Sequence, residues 1–179
     1  MERLTASEYF KQPETTRPME LVYGVVRQPP APRYGHQSLV THLAAILDHH
    51  VRARGLGEVC VSPVDVVLDE SGSLVVQPDI VFVAREHLDR VRDRIFGAPD
   101  LVIEVLSPAT AHRDRTTKLD WYRRYGVGEC WLIDKNRRSV EIIELGGVSG
   151  ETRRVFAGDE PLRSRVLPDW TMGAASIFD

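Results

Sequence analysis

The chain is predicted to be an α/β protein, a mixed β-sheet flanked by helices within one domain covering residues 1–179, and three observations lead there. Short apolar runs of strand length recur, among them Leu101–Leu106 and Cys130–Ile133. The segment from Tyr34 to Arg54 instead spaces its apolar residues at the helical period. Around Glu104 the order is strand, helix, strand, which sets helices against the faces of a sheet.

Thr5-Ala6-Ser7-Glu8 fits a capping box and predicts a short opening helix. Met19–Arg27 reads as a strand, followed by a stiff loop over Pro29-Pro30-Ala31-Pro32. Leu39, Val40, Leu43, Ile46, Leu47 and Val51 form the apolar face of the Tyr34–Arg54 helix, and Gly55 and Gly57 stop it. Strands follow at Glu58–Ser62, Val64–Leu68 and Leu74–Val76, the last leading into Asp79–Val83, with a tight turn at Glu70-Ser71-Gly72. Arg85–Arg94 is predicted to be a short polar helix, and Gly97-Ala98-Pro99 breaks the chain before the Glu104 strand. Ser107-Pro108 ends that strand, and a helix runs from about Ala111 to Tyr125, closed by Gly126 and Gly128. Cys130–Ile133 then pairs with Val140–Leu145 across the turn Asp134–Arg138. Gly146-Gly147 and Gly150 mark a further turn before a last strand and a weakly specified tail.

Composition is that of a soluble globular protein, with 42% hydrophobic and 27% charged residues. No apolar run approaches the roughly 18 residues of a membrane span. The N-terminus lacks the layout of a signal peptide, so a cytoplasmic location is expected. Cys60 and Cys130 both lie in apolar segments, where buried, reduced thiols are expected, and no CxxC spacing supports zinc. A formal net charge of −3 rules out a global basic field. Arginines cluster at Arg85, Arg90, Arg92 and Arg94 and again at Arg113, Arg115, Arg123 and Arg124, which read as solvated surface. Only three lysines, Lys11, Lys118 and Lys135, stand among the basic residues.

Glu104 is the residue that most calls for chemistry. An ionised carboxylate inside a strand buried on both faces costs several kcal/mol or more unless a cation compensates it. A second acid, Asp79, opens the apolar run Asp79-Ile80-Val81-Phe82-Val83. Together they offer hard oxygen ligands to Mg²⁺ or Mn²⁺. Lys118, on the helix that leaves the Glu104 strand, is placed to bring an ammonium over the acids and stabilise charge developing on a phosphate. Each residue also has a plain structural reading. Asp79 is a strand opener after proline, Glu104 is the partner of a buried arginine, and Lys118 is a solvated helix position paired with Asp114 at i,i+4. As a catalytic group or a surface pair alike, Lys118 is expected to be replaceable by alanine with little change in melting.

The motifs Gln77-Pro78-Asp79-Ile80-Val81, Gly97–Pro108 with Glu104-Val105-Leu106-Ser107-Pro108, Lys118 with Tyr122, and Gly126–Asp134 follow one another in an order that carries a resemblance. The chain resembles the restriction-endonuclease-like family, greatly expanded in cyanobacteria, within the PD-(D/E)XK nuclease superfamily, from about Met19 to Leu145. The resemblance implies a restriction-endonuclease-like fold, with acids on neighbouring central strands and a lysine close by. It implies cleavage of DNA phosphodiester bonds that depends on Mg²⁺ or Mn²⁺, usually by a homodimer. Asp79, Glu104 and Lys118 match the catalytic set, with Asp79 and Glu104 as metal ligands and Glu20 as the best match to an additional early glutamate. The superfamily pattern places lysine two residues after Glu104, where this chain has Leu106; Lys118 is its substitute. His36, opening the long helix, ranks as a structural histidine.

Other chemistries find no support. Ser107 lacks a nucleophile elbow, no glycine-rich phosphate loop occurs, and His49-His50 cannot face one metal from adjacent helical positions. Two rivals to the nuclease remain, a catalytically inactive nucleic-acid-binding or assembly module that keeps the fold, and a metal-dependent hydrolase of a small phosphoester.

Overall fold

The computed structural model describes residues 3–146 and 150–179. The capping box forms: the Glu8 amide donates to the Thr5 hydroxyl and the Thr5 amide donates to the Glu8 carboxylate, starting α1 (Ala6–Tyr9). The stretch expected as one strand folds as a hairpin of β1 (Glu20–Val22) and β2 (Val25–Arg27). Tyr23 and Gly24 both take positive φ, which closes a two-residue turn where continuous strand was anticipated. The long helix α2 (Tyr34–Arg54) ends as predicted at Gly55, whose left-handed backbone satisfies the last carbonyls.

Four strands follow, β3 (Gly57–Val61), β4 (Val66–Asp69), β5 (Leu74–Val76) and β6 (Ile80–Ala84). Only Arg85–Arg90 coils, as a 3₁₀ helix, because Val91 then turns to bridge Ile95 and lead into β7 (Ile95–Phe96). After β8 (Leu101–Val105) comes one helical stretch in three pieces. These are α3 (Ala111–Arg113), a wide π turn over Asp114–Lys118, and α4 (Leu119–Tyr125). The chain closes with β9 (Glu129–Asp134), β10 (Ser139–Glu144), β11 (Thr152–Ala157) and α5 (Ala175–Phe178). Gly147 of the anticipated turn lies outside the described residues.

Where one mixed sheet was expected, two form. The larger has the order β11-β10-β9-β8-β6-β3 and is mixed because β8 and β9 run parallel. The smaller has the order β2-β1-β5-β4-β7. One face of the large sheet, with Ile80, Phe82, Ile103 and Ile133, packs on Leu39, Leu43, Leu47 and Val51 of α2. The other face, with Val81, Val102 and Leu132, packs on Leu119 and Tyr122 of α4 and on Val66 and Val76 of the small sheet. Each such side chain contributes about 1.5–3 kcal/mol by leaving water. Covering both faces buries every residue of β8, Glu104 included.

Two expectations are corrected. Cys130 is buried, but Cys60 is exposed, because β3 is the edge strand of the large sheet. The tail is well specified: Leu162, Leu167, Trp170, Ala174 and Ile177 pack into the α2 side of the core. Glu129 ties it down, accepting from Ser164 Oγ, Arg165 N and Trp131 Nε1. Among the described residues no helix is long and apolar enough to cross a membrane.

Candidate active site

β6 and β8 pair antiparallel with Ile80 opposite Ile103, so continuing the register by one step sets Asp79 opposite Glu104. Side chains directly opposite in such a ladder have Cβ atoms about 4.5–5.5 Å apart and share a face. Both acids therefore point to the α4 side of the sheet. The Val105 amide donates to Asp79 Oδ2 (2.7 Å), and His36 Nε2 lies 3.1 Å from Asp79 Oδ1, reaching it from the first turn of α2. A carboxylate only accepts, so that ring nitrogen carries the hydrogen.

Glu104 is 3% exposed, and its Oε1 takes two hydrogen bonds, from Lys118 Nζ (2.9 Å) and Tyr122 OH (2.5 Å). Lys118 Nζ is also 3.4 Å from Glu20 Oε1 and 3.8 Å from Asp114 Oδ1. Arg113 Nη2 donates to Glu20 Oε2 (2.6 Å). The π turn makes this set possible. Five residues of regular α-helix rotate a side chain by about 500°, roughly 140° off its starting face. A π turn closes after about five residues, so Arg113 and Lys118 both reach the same glutamate.

Glu20, Glu104 and Asp114 thus face the permanent cation Lys118, Glu20 also holds Arg113, and Asp79 stands beside Glu104. Burial pushes Glu104 up to about 8; Lys118 pulls the other way, while Asp114 and Asp79 push further up. Burial likewise raises Asp114, against the pull of Lys118. Glu20 is different: burial opposes its charge, yet Lys118 and Arg113 outweigh it and hold its carboxyl below the ordinary range. Burial also works against the charge of Lys118, but Glu104, Glu20 and Asp114 together hold its pKa above that of a free lysine. A proton held by Glu104 and a charged Lys118 are compatible, because Glu20 and Asp114 still face the ammonium. The Asp79 hydrogen bond raises His36 against the effect of burial. Burial and the Glu104 charge raise Tyr122 well above an ordinary phenol.

Asp79, Glu104, Lys118 and Glu20, picked from sequence, therefore converge on one cluster. The plain readings of three of them give way to burial. Glu20 is 2% exposed rather than solvent-facing, Lys118 is 6% exposed rather than solvated, and the partner of Glu104 is a lysine rather than an arginine. Leu106 is no ligand; its amide donates to Ile133 O and continues the sheet. His36 does more than close a helix start, since it touches Asp79. Sequence reading took Asp114 and Arg113 only as surface residues; the Asp114–Lys118 pair that it allowed forms, but buried, and Arg113 joins through the π turn, which no spacing announced.

A family model for Uma2, described as "Putative restriction endonuclease", matches residues 6–175. The chain belongs to the Uma2 family. Its fold is shared with the crystal structure of "a putative nuclease belonging to DUF820" from Anabaena variabilis ATCC 29413. The TM-score is 0.80 at 20% sequence identity, covering 98% of this chain and 97% of that one. None of the curated proteins compared with the chain matches it. Membership in Uma2 and the restriction-endonuclease-like fold support a nuclease function.

Proposed function

We propose that this Uma2 chain hydrolyses DNA phosphodiester bonds in a metal-dependent reaction at the Asp79–Glu104 cluster. The observation that carries the reading is the excess of carboxylate over cation in a buried site whose two strand acids stand opposite each other. Asp114 and Asp79 both raise Glu104, so the mutual repulsion is not relieved by Lys118 alone. Hard oxygen donors suit Mg²⁺ or Mn²⁺. Among the described residues no three His, Cys, Asp or Glu side chains form a complete cage. Mg²⁺ takes one or two protein carboxylates and fills its shell with water and phosphate oxygens, a demand that Asp79 and Glu104 alone would meet.

Asp79 and Glu104 are the residues that would hold the ion, and Glu20 adds negative charge behind Lys118. When bound, such an ion supplies charge stabilisation for the phosphoryl oxygens and a more acidic water. Lys118 donates to Glu104 and sets a positive charge beside the site where negative charge develops on the phosphate. His36 fixes Asp79 from one side and the Val105 amide from the other. Two copies related by a two-fold axis would cut both strands of a duplex, and C₂ dimers are the commonest homo-oligomers. Sedimentation of the pure protein at micromolar concentration checks this, and a monomer there counts against the pairing.

The deciding experiment is nicking of supercoiled plasmid by pure protein with Mg²⁺ or Mn²⁺. Wild type should nick, and both EDTA and Glu104→Gln should abolish it. One observation favours a second reading. Lys118 is enclosed by three carboxylates, which suits a structural cation in an inactive nucleic-acid-binding module. Plasmid retention on a filter without nicking, in either metal, would select that reading.

A further inference from the structure

Tyr122 is the one donor to Glu104 with a single place to go. Its ring is fully buried among Leu119, Cys130 and Leu132, and its hydroxyl donates to Glu104 Oε1. Lys118 donates to the same oxygen. A carboxylate oxygen has two lone-pair directions, so these two donors fill Oε1. No donor reaches Oε2 among the described residues, so Oε2 is the oxygen left for a further partner. Lys118 by itself could not impose this choice. Its ammonium is a point charge on a flexible stem, shared among Glu104, Glu20 and Asp114, with no fixed donor direction. The tyrosine hydroxyl is held by its ring at one point.

We infer that Tyr122 is a positioning residue, which locks the Glu104 carboxylate about its last torsion so that Oε2 alone is presented to a cation. The inference rests on the metal-dependent reading above and adds to it the group that sets the ligand's geometry. Residues that orient metal ligands through a hydrogen bond typically change metal affinity by about 10–100-fold when altered.

Titration calorimetry of the full chain with Mn²⁺ alone, without nucleic acid, tests it. Four proteins are compared: wild type, Tyr122→Phe, Glu104→Gln and Val127→Ala. Val127 is buried in the same apolar cluster and has no polar side-chain atom to bond an acid, so Val127→Ala reports general loosening. Tyr122→Phe should weaken Mn²⁺ binding by about tenfold or more, Val127→Ala by less than about twofold, and Glu104→Gln should remove it. Equal affinity for wild type and Tyr122→Phe overturns the positioning role and leaves the metal site standing. Equal weakening by Tyr122→Phe and Val127→Ala also overturns it, since mere packing then suffices. No Mn²⁺ binding by wild type overturns both readings. Should Tyr122→Phe not fold, 4-fluorophenylalanine at position 122 keeps nearly the volume and removes the O–H donor; an unchanged affinity there overturns the role.

Discussion

Replacing Lys118 by methionine keeps the buried stem and removes the charge. The ammonium lies 2.9, 3.4 and 3.8 Å from Glu104, Glu20 and Asp114, and is 6% exposed. Taking one partner from a buried ion pair costs about 3–5 kcal/mol, because the remaining charge is left uncompensated. For a chain of this size about 2–4 °C of midpoint is lost per kcal/mol. Thermal unfolding followed by circular dichroism in EDTA at pH 9 should therefore show a fall of about 6–20 °C. Lys118 is held above the ordinary lysine pKa, so its contribution is at full strength below that ordinary value, and pH 9 samples it. At pH 6 the fall should be smaller. Burial pushes Glu104 up to about 8, so it takes a proton there at little cost. The double change Lys118→Met/Glu104→Gln should recover much of the loss at pH 9. A midpoint within about 2 °C of wild type at pH 9, under 1 kcal/mol by the same conversion, refutes the buried keystone. It would return Lys118 to the surface position that sequence alone allowed.

Three further outcomes are expected. With a folded pKa above the ordinary carboxylate value, protonated Glu104 stabilises the fold fully below that value and loses the contribution as pH rises through about 8; metal-free melting should fall more steeply over this window in wild type than in Glu104→Gln, and parallel curves would contradict the assignment. Mn²⁺ at a hundredfold excess over Kd adds about 2.7 kcal/mol, a rise of about 5–11 °C, which Glu104→Gln should abolish; an undiminished rise in the variant counts against the site. Glu129→Ala strands the donors Trp131 Nε1, Ser164 Oγ and Arg165 N, each worth about 1–3 kcal/mol if left unpaired, so hydrogen exchange over residues 160–170 should quicken, and unchanged protection there would show that the tail is held by its apolar contacts alone.

The long helix and the Glu104 strand were legible because period and polarity agree at those positions, whereas the Asp79–Glu104 pairing was expected from the family resemblance, which sets their strands side by side. Leu101, Val102, Ile103, Val105 and Leu106 flank Glu104 in a run whose composition marks it as buried, and a lone acid in such a run stands out. Glu20 was ambiguous because a three-residue strand has too few positions to show which face is wet. Lys118 was picked for the site but kept a surface reading beside it, because Arg115, Thr116 and Thr117 around it are polar and a regular helix would have carried it outward with them. The small sheet was hidden by the turn at Tyr23-Gly24, where a non-glycine residue takes positive φ without any sequence signal of its own. Cys60 was misread because an apolar strand at a sheet edge has the composition of a central one. The tail escaped because Leu162, Leu167, Trp170 and Ile177 belong to irregular chain and a single short helix, so no period announces them.

The wide turn at Asp114–Lys118 has a bearing on chain length. A π turn holds one residue more than an α turn, so the helix carries a spare residue between two fixed anchors, Ser107–Ala111 at its start and Tyr122 at its end. Thr116 and Thr117 are exposed and face away from the acids. Deleting one of them would let the coil tighten to the regular pitch and leave Lys118 and Tyr122 four residues apart as before, with Arg113 now four residues from Lys118 and still near its face. Among relatives, length should therefore vary by one residue here while strands β6 and β8, which have no such slack, keep theirs. A helix that lines the acid cluster would then be one of the few places where this chain tolerates a deletion.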